Sequence, residues 1–375
     1  MAAGSRPANG EDSGLAAEPG RPNSGPPDVP KYNYYEPRPD VPTASNYKVM
    51  HTLEGHKGAV TSIKFQRDGL LAASGSADGT AKIWDVKEGR CIHTLRGHKK
   101  GINDVVWSWD GNTVATASDD RTLRIWDVRT QQCVRKLEGH TNFVMSCSFS
   151  APGDILASAG FDETIRLWCM HTGKLIRVIP AHSDPILCLD FSADLSKPML
   201  ASASKDGICR VWLSHSGECG RSIIPDAAEN PCLPVTFCKF TPNNKFLLLG
   251  TMAGRLQLWD FEPKSCGTGF LPPVSVKKTY VGHRNSRHIL QAAFMVNEPT
   301  GTKYVVCGSE DHHVFLWDLN QRTIAGILRG RPGPDSPGDG HCDAVLSVDT
   351  NSLEPIIGSA GSTKDKTVKL WRYEA

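Results

Sequence analysis

Seven tryptophans constrain this chain more than any other feature. Trp84, Trp126, Trp168, Trp212, Trp259, Trp317 and Trp371 each close a β-prone run: AKIWD, LRIWD, IRLWC, CRVWL, LQLWD, VFLWD and VKLWR. The first three intervals are 42, 42 and 44 residues, a period that marks tandem supersecondary units. Gly-His pairs recur upstream at His56, His98, His140, His283 and His341, with Ala181-His182 as a variant. Asp78, Asp120, Asp162, Asp206, Asp311 and Asp365 each stand six residues before a tryptophan. Turn signals such as ADGT, WDGN and TPNN divide each unit into four short strands with half-buried alternation. One such sheet cannot bury both faces, so the units must stack around an axis. The expected fold is all-β, a seven-bladed propeller over residues 44–375. The last unit stops after its tryptophan strand, while YKVMHTL at 47–53 stands alone ahead of the first Gly-His. The N-terminal strand is therefore expected to close the last blade and pair an edge that invites aggregation.

Residues 1–43 differ in kind. They hold nine prolines and few aliphatic residues, the composition of a disordered tail. Within it, Tyr32, Tyr34 and Tyr35 in KYNYYEPRPDVP read as a bland linker rather than as an aromatic docking motif. The whole chain carries 42 Lys+Arg against 40 Asp+Glu, and a net charge of +2 supplies no field to gather nucleic acid or an anionic membrane. Twelve cysteines, spread from Cys91 to Cys342 without a C-x-x-C pair, read as reduced thiols. The opening lacks a signal sequence, and no run approaches the roughly 18 apolar residues of a membrane span. An intracellular, soluble chain is expected.

His56, Ser74 and Asp78 imitate the Ser-His-Asp set of a hydrolase. The same set recurs at His98, Thr116, Asp120 and at His140, Ser158, Asp162, with the spacing to Trp84, Trp126 and Trp168 unchanged. Repetition argues for structure: a buried chain from indole N–H to hydroxyl to histidine to aspartate, without a catalytic residue. Blade five lacks the Gly-His pair and carries Leu249 and Ala253 at the hydroxyl and aspartate positions, so it is expected to hold by apolar packing alone. Cys307 replaces the hydroxyl in blade six, and both blades are expected to be softer. Two insertions of ten residues, through EPKSCGTGFLPPVS and RPGPDSPGDG, read as solvated loops. No phosphate loop, dinucleotide fingerprint or metal-ligand spacing is present, so neither cofactor nor metal is expected and the chain reads as a non-catalytic peptide-binding scaffold.

These marks resemble the WD-repeat family over residues 46–375. GHKKGINDVVWSWD, TASDDRTLRIWDVRTQQC, PAHSDPILCLDF, SKDGICRVW, CGSEDHHVFLWDL and KDKTVKLW are further similar to the propeller subunits of COMPASS-type histone H3 lysine-4 methyltransferase assemblies. That resemblance implies a nuclear scaffold, with the cytoplasm as a second location, a monomer within a multi-subunit complex, holding a SET-domain methyltransferase and a second propeller like retinoblastoma-binding protein five. In that family the channel mouth grips an arginine of a histone H3 or methyltransferase peptide between two phenylalanines. The matching positions here are Ala59, Ala77, Gly101, Asp119, Phe143 and Asp184. The clamp departs from the family at Met145 and Gln291, the two ring positions, and at Asn103, Ile289 and Lys205. A thioether and an amide recover only part of the roughly 1–2 kcal/mol that stacking on a guanidinium supplies. Arginine binding is therefore expected to be weakened. On the opposite face the resemblance assigns Asn243, Phe246, Leu258 and Lys278 to an acidic-hydrophobic partner segment. A rival reading starts from Asp127-Val128-Arg129 after Trp126, which resembles the element that docks some propellers on cullin-type ubiquitin ligase adaptors and would make the chain a substrate receptor.

Overall fold

The computed structural model describes residues 46–195, 198–225, 233–260, 275–297, 301–329 and 340–374. The tail and both ten-residue insertions lie outside them. The rest forms seven four-stranded antiparallel sheets, each in the order a-b-c-d. Blade one shows the plan: a is Val60–Phe65, b Leu71–Ser76, c Thr80–Asp85 and d Arg90–Arg96. Its a, b and c strands alternate small or β-branched residues toward neighbouring sheets, while d meets solvent with Arg90, Cys91 and Ile92.

The seventh sheet takes its outer strand from the other end of the chain. Tyr47–Leu53 pairs antiparallel with Val368–Tyr373, from Tyr47 opposite Tyr373 to Leu53 opposite Val368. Chain closure thus supplies the d strand that the last unit lacks.

Each closing tryptophan packs on the blade before it. Trp126 lies with Ile83 and Leu95 of blade one, Trp168 with Ile125 and Leu137 of blade two, and Trp212 with Leu167 and Ile179 of blade three. Trp84 lies with Leu53 and Leu370 of the closing blade. A large aromatic buried between two sheets stabilises both, which is why the repeats need one another.

The centre of the ring is stitched by side chains of the a strands, each taking a backbone N–H of the next blade. Ser347 accepts from Ile63 at 3.1 Å and Asp349 from Phe65 at 2.8 Å across the closure. Asp104 accepts from Cys147, Ser146 from Leu189, Ser148 from Phe191 and Asp190 from Phe240. The polar lining of the channel is therefore largely occupied in holding the ring shut. Burial raises the Asp190 carboxyl to about 6 against the pull of Lys239. Ten described cysteines stand as free thiols.

Candidate functional site

The repeated His-hydroxyl-Asp sets form one buried chain in each of five blades. In blade three the Trp168 indole N–H donates to Ser158 Oγ at 2.8 Å, Ser158 and His140 Nε2 are 2.8 Å apart, and His140 Nδ1 lies 2.7 Å from Asp162. An ionised aspartate only accepts, so Nδ1–H donates to it, and Nε2 accepts from the hydroxyl while the hydroxyl oxygen accepts from the indole. Blade one links Trp84, Ser74, His56 and Asp78, and blade two links Trp126, Thr116, His98 and Asp120. Blades four and seven repeat it through Ser202 and Ser359. Ser74, Thr116 and Ser158 are wholly buried. A hydroxyl that already has two partners and no access to solvent is no nucleophile.

Blade six departs from the expected pattern. With Cys307 in the hydroxyl slot, the Trp317 N–H turns to the Val281 carbonyl at 3.0 Å. Both ring nitrogens of His283 lie buried without a partner among the described residues, and Asp311 sits by His313 instead. Blade five is held by more than apolar packing: Gln257 Oε1 takes the Trp259 N–H at 3.1 Å, and Asn285 donates to the Thr251 carbonyl at 3.3 Å.

The d–a loops and b–c turns share one end of the ring, and the residues assigned to the channel mouth gather there. They come in pairs: the N–H of Ala77 donates to the Ala59 carbonyl, Asp119 to Gly101, Phe161 to Phe143 and Lys205 to Pro185. The sequence reading missed Phe161. Its signal was present, since it directly precedes the turn aspartate as Ala77, Asp119 and Lys205 do. Its exposed ring lies 5.8 Å from that of Phe143, and Lys100 covers Phe143 at 5.4 Å. Asp184 and Lys205 are exposed at the rim, and Ile289 is half-buried.

Asn103 and Met145 sit on β-bulges. The ladder skips a residue between Ile102 and Asp104 and between Val144 and Ser146, and a bulge re-aims the side chain it carries. Asn103 is thereby tied across the seam, donating to Asp119 at 2.7 Å and to the Val144 carbonyl at 2.9 Å. The half-buried Met145 has no donor to repeat this. Gln291 differs from an open clamp wall: its Oε1 accepts from Lys64 Nζ and from Ser347 Oγ, each at 2.8 Å. The Lys64 ammonium thus stands beneath the mouth, where it opposes a guanidinium.

On the opposite face, a–b and c–d turns meet in a groove of about 1060 Å³ between blades five and six. It brings together all four residues assigned there, Asn243, Phe246, Leu258 and Lys278, with Phe294, Met295 and Tyr304 extending the apolar floor. Lys278 keeps its charge while Nζ donates to the Leu319 carbonyl at 2.7 Å and to Asn320 at 3.3 Å, bracing the seam. Lys245, Lys303 and Arg322 add positive charge along the groove, against the carboxylates of Asp260, which pairs with Lys277, and Asp318. Arg129 is exposed in a c–d turn on this face, while Asp127 caps that turn through Thr130.

Comparison with known proteins agrees with this geometry. The WD repeat-containing protein WDS homolog of Arabidopsis thaliana is 23% identical over 37% of this chain and 22% of its own length. The Protein LST8 homolog of Dictyostelium discoideum is 46% identical over 14% of this chain and 17% of its own length. Protein Mut11 of Chlamydomonas reinhardtii is 49% identical over 12% of each chain. The aligned stretches thus span less than a quarter of these relatives. The family model described as the WDR5 beta-propeller domain matches residues 52–372, from the closing strand to the last tryptophan strand, and the chain belongs to that family of protein-interaction propellers.

Proposed function

We propose that this chain is a non-catalytic scaffold of a COMPASS-type histone H3 lysine-4 methyltransferase assembly, working in the nucleus. The groove between blades five and six carries the reading. Its floor of Phe246, Leu258, Phe294 and Met295 takes apolar side chains, and Lys245, Lys303 and Arg322 complement acidic ones. An acidic-hydrophobic segment of a partner propeller like retinoblastoma-binding protein five fits that chemistry. The channel mouth serves as a second peptide site for a methyltransferase or histone tail, with arginine recognition weakened by Lys64 and the tied Gln291.

Calorimetric titration with the acidic-hydrophobic segment tests this reading. Binding is expected to fall at least tenfold on Phe246→Asp. Equal binding to both proteins, or purification with a cullin adaptor in place of a SET-domain methyltransferase, contradicts the proposal and favours the substrate-receptor reading through Arg129.

A further inference from the structure

The outer edge of blade three differs from those of the other blades. An edge strand turns every second N–H and C=O outward, and proteins blunt it with charge, short length or a cover. Blade one places Arg90 and Arg96 there, blade two Lys136 and Glu138, blade five Lys277 and blade seven Lys48, all exposed. The blade-four strand has only five residues, and that of blade six is largely buried. Blade three presents LIRVIP over Leu175–Pro180, with Leu175 41% exposed, Ile176 51% and Val178 42%. Neighbours in one strand, these three form a continuous apolar strip. Arg177, the one charge of the strand, lies along blade four, its Cδ 2.7 Å from where a β-carbon on Gly217 would stand. Glu218, next in the chain to Gly217, balances that charge. The Ala181 N–H donates to the Glu163 carbonyl at 3.1 Å, so by antiparallel alternation the N–H and C=O of Val178 face away from strand c.

Charge decides what pairs with this edge. Lys174 is exposed at its groove end and Glu163 at its mouth end, and neither forms an ion pair with a described residue. The neighbouring charges keep these signs. Arg135 of blade two joins Lys174, donating to the His171 carbonyl at 2.8 Å, and the two outweigh the carboxylate of Asp154, whose carbonyl takes the Met170 N–H. At the mouth end Arg166 offsets only Asp162, 3.9 Å away. The edge is thus positive at one end and negative at the other. Such a strand is complementary to itself when turned end for end.

We propose that two copies of the chain pair antiparallel through Leu175–Pro180 of blade three, forming a two-fold dimer where the resemblance implies a monomer. With Val178 on the axis, it faces its own copy, Ile176 lies opposite Pro180, and Arg177 lies opposite Ile179 instead of a second arginine. Pro180 has no N–H, and the ladder ends there. Each Lys174 reaches the end marked by Glu163 of the second copy, twice by symmetry. The apolar strip is covered, and the outward N–H and C=O groups are paired. The edge lies on the outer wall, so the dimer leaves groove and mouth open and does not depend on the methyltransferase reading.

Sedimentation equilibrium of the full chain over a range of concentrations is the test, and a monomer–dimer equilibrium is expected. Val178→Lys puts two ammonium groups face to face on the axis. It is expected to leave only monomer while melting as the wild type does, because Val178 is exposed. Lys174→Glu and Glu163→Lys each bring like charges together and are expected to weaken the dimer about tenfold. An equal mixture of those two variants restores it, since every contact between the ends then joins opposite charges. Phe246→Asp dimerises as the wild type does. Wild-type chain that stays monomeric at every concentration overturns the proposal, as does a dimer that Val178→Lys leaves intact or a mixture no tighter than its single variants.

Discussion

Ser158 Oγ joins two buried donors and acceptors that have no other described partner, the Trp168 N–H and His140 Nε2. Ser158→Ala strands both, at roughly 1–3 kcal/mol for each stranded group, and the loss is read as a lower urea midpoint with an unchanged slope. Blade six offers the reverse change. Cys307→Ser places a hydroxyl beside His283 and Trp317 and is expected to stabilise by about 1 kcal/mol. His283 also sets the response to acid. Burial lowers it to about 4, against the opposing pull of Asp311 and Glu310, whereas an unfolded histidine titrates near 6.5. Its neutral form contributes stability above about pH 6.5 that is lost as pH falls toward 4, roughly 3 kcal/mol in all. The turn aspartates act lower. Burial pushes Asp120, Asp162 and Asp365 up, but hydrogen bonds from the histidine, the threonine two residues on and a backbone N–H outweigh it and hold them at about 2. Their contribution is present above about pH 4 and is lost between about 4 and 2. Urea midpoints across pH 7 to 3 are expected to fall on both limbs, with His283→Phe shrinking the upper one and leaving the part that His98 and His341, also lowered by burial, contribute.

At the scale of the strand, closure and unevenness are the testable features. Deleting residues 46–53 exposes the edge of Val368–Tyr373 and uncovers Trp84 and Leu370, which pack with Leu53. The truncated chain is expected to scatter light as it aggregates at temperatures where the full chain stays clear. Amide exchange should be faster in blades five and six, where the indole-to-aspartate chain is broken, than in blades one to four. Uniform protection across the blades would contradict this. The strand plan was legible in the sequence because tryptophan, hydroxyl, histidine and aspartate each have a fixed station in every unit. The mouth was less so. That Asn103 is tied to Val144 and Gln291 to Lys64 depends on bulges and on reach across seams, and no spacing within one repeat encodes a contact with the next. Phe161 was recoverable from its slot; the tether of Lys278 was not, since its partner Leu319 lies 41 residues on.

For the whole molecule, seven sheets closed by their own N-terminal strand give a ring whose centre is stitched shut. Its outward-facing surface presents a rim of Phe143, Phe161, Lys100 and Lys205 and, on the other face, an apolar groove edged by charged side chains. A scaffold of this kind acts by raising the effective concentration of the groups it holds. The most direct measurement is the rate of histone H3 lysine-4 methylation by a reconstituted SET-domain methyltransferase with its second propeller subunit, with and without this chain. The rate is expected to rise at least tenfold when the chain is added and to return to the basal level when Phe246→Asp replaces it. Equal rates in all three reactions would contradict the account.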